Sequence, residues 1–188
     1  MASAPKPFRH VFKVLPILLL LADSLIRAGR MADKSRLLMS AALLFSAIGD
    51  VAGSLVTMGI FFSISHCFYI VAYSRHFCLK TSKQWFLIAV LLVMVSSLLY
   101  LTLPKMLSGG TGTNILIAGC IYVPLLTAMS LSAISQSRPY WIFFAIGSLL
   151  FVISDSIIFI GTFAFAIPAR HLIVMSTYYG AQLLMNLK

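Results

Sequence analysis

The chain has 188 residues, of which 61% are hydrophobic and only 10% are charged. Soluble domains carry about 25% charged residues, so this composition excludes an ordinary soluble domain and indicates a membrane protein. The formal charge of +10 comes from 14 Lys and Arg residues against four acidic ones. The basic residues lie between long apolar runs, which is typical of interfacial anchors beside anionic lipid and excludes a nucleic-acid-binding surface.

Seven apolar runs follow one another, each close to the roughly 20 residues that a bilayer span needs. They cover about 11–28, 36–58, 59–79, 84–103, 113–134, 141–163 and 170–187. The join at 58–60 is tight, and Gly59 is the expected turn there. No segment is long enough for a separate soluble domain. We therefore predict one all-α domain over residues 1–188, a polytopic transmembrane helical bundle of about seven spans.

The distribution of basic residues predicts the orientation of this bundle. The connections after spans one, three and five, together with the C-terminus, hold Arg27, Arg30, Lys34, Arg36, Arg75, Lys80, Lys83, Arg138 and Lys188. The opposite side holds fewer, and most of those cluster at the N-terminus as Lys6, Arg9 and Lys13. The positive-inside rule predicts a cytoplasmic C-terminus, in a bacterial inner membrane or the endoplasmic reticulum. A further span upstream would reconcile this orientation with the basic N-terminus.

Isolated polar residues within the apolar runs mark a candidate site. Asp50 and Asp155 each lie fourteen residues into spans that run in the same direction, so each carboxyl group should be about 21 Å from the same face. His66, Tyr178 and Tyr179 lie on spans that run the other way, and their distance from the opposite face is about 10–14 Å. All five residues should therefore lie in one layer of the bundle.

Polar stripes follow the helical repeat on three of these spans. They consist of Ser46, Asp50 and Ser54, of His66, Tyr69 and Tyr73, and of Tyr178 and Gln182. Polar stripes are costly against lipid, so they should face a shared interior cavity. Each residue also has a structural interpretation, because a lone intramembrane Asp or His can serve as a hydrogen-bonding group and a Tyr stripe can belong to a packed core. Two aspartates at matched depth favour the functional interpretation.

Metal chemistry and serine hydrolase chemistry are poorly supported. There is no HExxH motif, and His10 and His76 lie near segment ends, far from His66. A zinc site with several His ligands is therefore hard to assemble. The GxSxG nucleophile elbow is also missing. We expect no metal and no cofactor.

Five stretches of the chain resemble a known family. In order, they are FKVLPILLLL, LLFSAIGD, SHCFYIVAY, GSLLFVISDS and MSTYYGAQLL. They resemble the lysoplasmalogenase family of multi-pass membrane proteins, the YhhN-like family, over about residues 12–187. The resemblance implies an eight-span helical bundle that hydrolyses the vinyl ether bond of lysoplasmalogens. The products would be a fatty aldehyde and glycerophosphoethanolamine or glycerophosphocholine.

Three departures from the family pattern are visible. The family's first span is missing from this chain, and the loop between Asp50 and His66 looks short. A frequent Asn six residues after the aspartate of the SD element is Gly161 here.

The candidate residues suit vinyl ether hydrolysis, which begins with proton transfer to carbon and ends with water capturing the oxocarbenium ion. Paired carboxyl groups divide such work in glycoside hydrolysis, one as acid and one as carboxylate. We expect Asp50, Asp155 and His66 to be catalytic, with either Asp as the acid. The expected substrate-binding residues are Tyr69, Ser154, Tyr178, Tyr179 and Gln182. The partner would be a lysophospholipid substrate within membrane lipid, its phosphate held by a cation such as Arg75 or Arg170.

Two other functions stay open at this point. In a proton- or ion-coupled transporter or lipid-moving protein, buried carboxylates would carry protons or coordinate ions. The stretches LFSAIGD and LLFVISD align loosely about their aspartates, as internal repeats of transporters do. A seven-span receptor is the third possibility, and the carboxylate pair disfavours it. The sequence leaves the oligomeric state open.

Overall fold

The computed structural model describes residues 6–31 and 34–187, with side chains over 14–29 and 34–187. Seven α-helices follow one another in this part of the chain: α1 (Lys6–Met31), α2 (Lys34–Val51), α3 (Leu55–Ser74), α4 (Ser82–Ser108), α5 (Thr113–Ile134), α6 (Trp141–Phe163) and α7 (Arg170–Asn186). The described residues form no β-strand beyond an isolated bridge between Phe77 and Gln136. The predicted all-α class is confirmed.

Four of these helices, α3 to α6, are long and apolar enough to cross a bilayer. The other three complete the bundle, with α2 packed between α1 and α3, and α7 packed against α6 and α1. Helix α5 contacts α3, α4 and α6. The chain is therefore an integral membrane protein built as a helical bundle.

The helix connections lie on two opposite faces of this bundle. The C-terminal face carries the connections 75–81 and 135–140 and the end of α7. Gln84 joins the start of α4 to the end of α5 on this face. Its side-chain amide donates to the carbonyl oxygens of Ile134 and Gln136, each at 3.1 Å. A capping box between Thr81 and Gln84 begins α4 at the same place.

The opposite face carries the connections 52–54, 109–112 and 164–169, and we call it the pocket face. The last turn of α4 is joined to the connection 164–169, because Lys105 Nζ donates to the carbonyl oxygen of Ala164 at 3.0 Å. Two cations therefore lie on this face, Lys105 at the end of α4 and Arg170 at the start of α7.

The turn between α2 and α3 lies earlier than the sequence predicts. Helix α2 ends at Val51, and Ser54 caps α3 by accepting a hydrogen bond from the backbone N–H of Thr57 at 3.1 Å. A serine cap stabilises a helix start, so the break follows the cap. The prediction of a turn at Gly59 is wrong, because Gly59 lies inside α3.

Helix α2 stops short of α3 at the pocket face. The hydroxyl groups of Ser46 and Ser65 are hydrogen-bonded at 2.9 Å, which sets the register of the two antiparallel helices. Asp50 is then level with residue 61, and α3 begins at Leu55, about 9 Å nearer to the face at 1.5 Å per residue. This difference leaves a recess over the end of α2.

Candidate active site

The two isolated aspartates meet in one pocket inside the bundle. Asp50 comes from the end of α2 and Asp155 from α6, and they are only 5% and 7% exposed. Their carboxyl groups are close enough to interact electrostatically. The pocket has a volume of about 60 Å³. Since one water molecule needs roughly 10–15 Å³ of such space, the carboxyl pair has room for water beside it.

A tyrosine that the sequence analysis did not select links Asp155 to His66. The hydroxyl of Tyr122, on α5, donates a hydrogen bond to Asp155 Oδ2. The same hydroxyl oxygen lies 3.2 Å from His66 Nε2 on α3. A hydroxyl has one hydrogen, and Asp155 receives it, so the imidazole must donate through Nε2–H. Three helices therefore contribute to one chain of hydrogen bonds that ends at Asp155.

His66 itself lies behind this tyrosine and does not line the pocket. Its side chain is completely buried, and its ring packs edge-on against Phe151 with 5.1 Å between ring centroids. Among the described atoms, Nδ1 has no hydrogen-bond partner. His66 therefore reaches the pocket only through the hydroxyl of Tyr122.

The carboxyl group of Asp50 is held by a tyrosine as well. Tyr178, on α7, forms a side-chain hydrogen bond with Asp50 and also lines the pocket. Ser154 is a fifth polar residue of the lining, and its hydroxyl donates to the carbonyl oxygen of Val174 at 3.2 Å, which ties α6 to α7. Each carboxyl group thus has a tyrosine hydroxyl as its neighbour.

Tyr179 does not line this pocket. It is half-buried, and its ring packs beside that of Tyr178 with 5.7 Å between centroids. Residues adjacent on a helix point in directions about 100° apart, and of these two tyrosines only Tyr178 is turned into the pocket. The expectation that Tyr179 faces the carboxyl pair is wrong, and Tyr178 has that position.

Tyr69 and Gln182 lie in a buried network behind the pocket, which Gln182 Nε2 joins to the Tyr178 hydroxyl at 3.5 Å. The Tyr69 hydroxyl donates to Gln182 Oε1 at 2.8 Å and accepts from Asn186 Nδ2 at 3.0 Å. Gln182 Nε2 donates to Ser46 Oγ at 3.1 Å. These bonds join α2, α3 and α7, and neither side chain lines the pocket. The geometry gives both residues a role in holding helices together.

Tyr122 could have been found by the depth comparison that selected the aspartates. It lies nine residues after Thr113, and Tyr178 lies eight residues after Arg170. Both helices start at the pocket face, so both hydroxyl groups are about 12–14 Å from it. The depth of Tyr122 therefore matched that of the aspartates, but Tyr122 was not selected because it forms no polar stripe on its own helix.

The space beside Gly161 is filled by Arg170. A Cβ atom at Gly161 would lie 2.5 Å from Arg170 Cδ, and Arg170 Nη1 lies 3.4 Å from Thr162 Oγ1. The arginine therefore occupies the volume that a larger residue at 161 would need. Within the described ranges, no three His, Cys, Asp or Glu side chains come together as a metal-binding group.

Comparison with known proteins adds independent information. A profile of the YhhN family matches residues 8–188. Human lysoplasmalogenase TMEM86A is 31% identical over 204 aligned residues, which cover 99% of this chain and 80% of that protein, and the bovine protein of the same name matches equally well. Human lysoplasmalogenase TMEM86B is 51% identical over 41 residues, or 22% of this chain and 18% of that protein. No solved structure matches.

Proposed function

The chain belongs to the YhhN family, and on that premise we propose that it is a membrane-embedded lysoplasmalogenase. Its substrate is a lysoplasmalogen with an ethanolamine or choline headgroup, and the bond broken is the vinyl ether. The names of the human and bovine relatives support this assignment. The observation that carries it is the carboxyl pair, because Asp50 and Asp155 come from different helices and share one pocket with room for water.

Asp155 is the proton donor in this proposal. It protonates the chain carbon of the double bond that does not bear oxygen, and the adjacent carbon becomes an oxocarbenium ion. The carboxylate left on Asp155 is stabilised by the hydrogen bond from Tyr122, since hydrogen bonds to charged groups are stronger than neutral ones. His66 keeps its proton and directs the Tyr122 hydroxyl toward Asp155. Asp155 regains its proton at the end of the cycle from Asp50, which takes one from the attacking water, through water in the shared pocket.

Asp50 is the base in the second half of the reaction. It lies at the end of α2 beneath the recess of the pocket face, where water has its shortest path inward. Its carboxylate stabilises the oxocarbenium ion and accepts a proton from the attacking water, as a paired carboxylate does in glycoside hydrolysis. The hemiacetal formed this way collapses to a fatty aldehyde and the glycerol hydroxyl of the glycerophospho compound.

The headgroup lies toward the pocket face in this arrangement. Arg170 begins α7 two turns before Tyr178, and Lys105 lies near the end of α4. Both are exposed cations on that face, and a phosphate is the anion that such side chains bind. The glycerol backbone then spans the distance between the phosphate and the carboxyl pair.

The test is turnover by the purified protein in detergent. We expect aldehyde release from a lysolipid with a vinyl ether and none from the matched alkyl ether, because only the vinyl carbon accepts a proton productively. A transporter would show no turnover without a sealed compartment. Equal cleavage of the alkyl ether would exclude acid attack on the double bond.

Two variants connect this activity to the carboxyl pair. Asp50→Asn and Asp155→Asn keep side-chain size and remove the acid, so each should lower kcat/KM by about 100-fold or more, or about 3 kcal/mol in the barrier. Ser148→Ala is the matched control, because Ser148 is a buried polar residue of α6 that bonds only to its own helix and should keep full activity. Unchanged rates in folded Asn variants would make the carboxyl pair structural.

A further inference from the structure

A second cavity lies next to the pocket and has a different chemical character. It is a groove of about 220 Å³ between α4 and α5, with Phe159 of α6 as its floor. Leucines from both helices line it, among them Leu99, Leu103 and Leu116. Thr102 also lines it, but its hydroxyl donates to the carbonyl oxygen of Leu98 at 2.8 Å. The groove therefore offers apolar groups to any ligand.

The groove and the pocket share a thin wall. Gly119 of α5 and Phe159 line both cavities. The Phe159 ring stacks on Tyr122 with 6.1 Å between centroids, and Tyr122 binds Asp155 on the pocket side. Phe159 and Gly119 therefore form a wall that the groove shares with the pocket of the carboxyl pair.

The groove also opens to the outside of the bundle. Leu99 and Leu103 are 39% and 41% exposed, and Cys120 is exposed on the facing helix. Helix α4 is a candidate membrane span whose surface is mostly unburied. Its outer side therefore faces the hydrocarbon of the bilayer, so the groove runs from lipid to the wall of the pocket.

We propose that this groove binds the hydrocarbon chain of the substrate and sets the preference for chain length. This inference rests on the proposed function. The carbon protonated at the carboxyl pair is part of the chain, so the rest of the chain must leave the pocket directly from that point. The pocket is too small for a long chain, whereas the groove is apolar, adjoining and open to lipid. Each methylene group buried there adds to the binding free energy.

The experiment fills the groove and compares two vinyl ether lysolipids, one with a long chain and one with a short chain. Leu116 of α5 lines the groove and does not line the pocket. Leu116→Trp adds bulk to the groove side of α5. We expect kcat/KM to fall about tenfold or more for the long chain and to stay within about twofold for the short one.

Leu103→Trp tests the same groove from α4, at an exposed position away from the pocket. It should give the same selectivity, and it protects the test if Leu116→Trp folds poorly. Gly180→Leu is the matched control, because Gly180 lines neither cavity and its nearest side-chain neighbour is Leu150 at 3.7 Å. This variant should leave the ratio of long-chain to short-chain activity unchanged.

The outcomes separate the two claims. If the wild-type protein cleaves both lipids and both groove variants lose long-chain activity selectively, the inference holds. If the groove variants leave the chain-length ratio unchanged, the groove holds only bilayer lipid and the inference is wrong, while the proposed function stands. If the wild-type protein releases no aldehyde from either lipid, the proposed function fails and the inference fails with it.

Discussion

At the scale of single residues, the hydroxyl of Tyr122 connects more of the candidate site than any group that the sequence singled out. It donates to Asp155 and receives a hydrogen bond from His66, while its ring stacks on Phe159 at the wall of the groove. One side chain therefore touches the proposed acid, the imidazole of His66 and the wall of the groove. Its removal should affect the chemical step more than substrate binding.

Tyr122→Phe should lower kcat about 10- to 100-fold and leave KM within about twofold. The ring and its stacking remain, but the carboxylate formed on Asp155 loses a hydrogen bond, and a bond to a charged group contributes about 1.5–3 kcal/mol. Steady-state kinetics in detergent measure this split. Tyr100→Phe on the exposed side of α4 is the control. A change confined to thermal stability, with kcat intact, would reduce Tyr122 to a packing residue.

The sequence predicted part of this site for clear physical reasons. A carboxyl group within an apolar run is conspicuous, and helical rise places Asp50 and Asp155 at one depth, so their meeting followed from arithmetic. Depth does not specify the rotation of a helix, however. Depth alone therefore could not distinguish Tyr178 from Tyr179. It also placed His66 at the pocket, although Tyr122 stands between His66 and the pocket.

At the scale of elements, the close contact of α6 with α7 holds Tyr178, the tyrosine that is hydrogen-bonded to Asp50, in place. A Cβ atom at Gly147 would meet Met185 Cγ at 2.8 Å and the carbonyl oxygen of Ala181 at 3.0 Å. Only glycine allows the two helices to approach this closely, as small residues do between membrane helices. Tyr178 lies on this same helix α7, so its distance from Asp50 depends on that approach.

Gly147→Ala should destabilise the protein by about 1–3 kcal/mol, because a backbone oxygen cannot move aside for the new methyl group. Gly180→Ala, whose Cβ would have ordinary contact at 3.7 Å, should be neutral or stabilising by up to about 1 kcal/mol, since alanine is the better helix former. Thermal unfolding in detergent measures both. Equal stabilisation by the two changes would show that α6 and α7 can move apart enough at Gly147 to accept a methyl group.

The break between α2 and α3 shows where sequence patterns failed at this scale. Apolar residues continue through the break, and a glycine near the middle of the run suggested the turn. The structure places the turn where Ser54 satisfies a backbone N–H of the next helix. Gly59 instead lines the pocket, where the lack of a side chain leaves space.

At the scale of the whole molecule, the pocket face and the C-terminal face are opposite, so the orientation of one determines the other. The basic residues predict a cytoplasmic C-terminus, and the pocket face would then be non-cytoplasmic. A tag on the C-terminus should be protected from protease in sealed right-side-out vesicles and digested in inverted ones. Digestion in right-side-out vesicles would reverse the orientation and place the pocket face in the cytoplasm.

The short α2 helix has a consequence for where the products go. Because α2 ends about 7.5 Å below the start of α3, the carboxyl pair lies near the surface of the pocket face while it stays inside the bundle. In the proposed reaction the glycerophospho compound departs through this recess into water, whereas the aldehyde is oil-soluble and diffuses into the leaflet. Two immiscible phases thus dilute the two products separately, so they rarely meet to recombine.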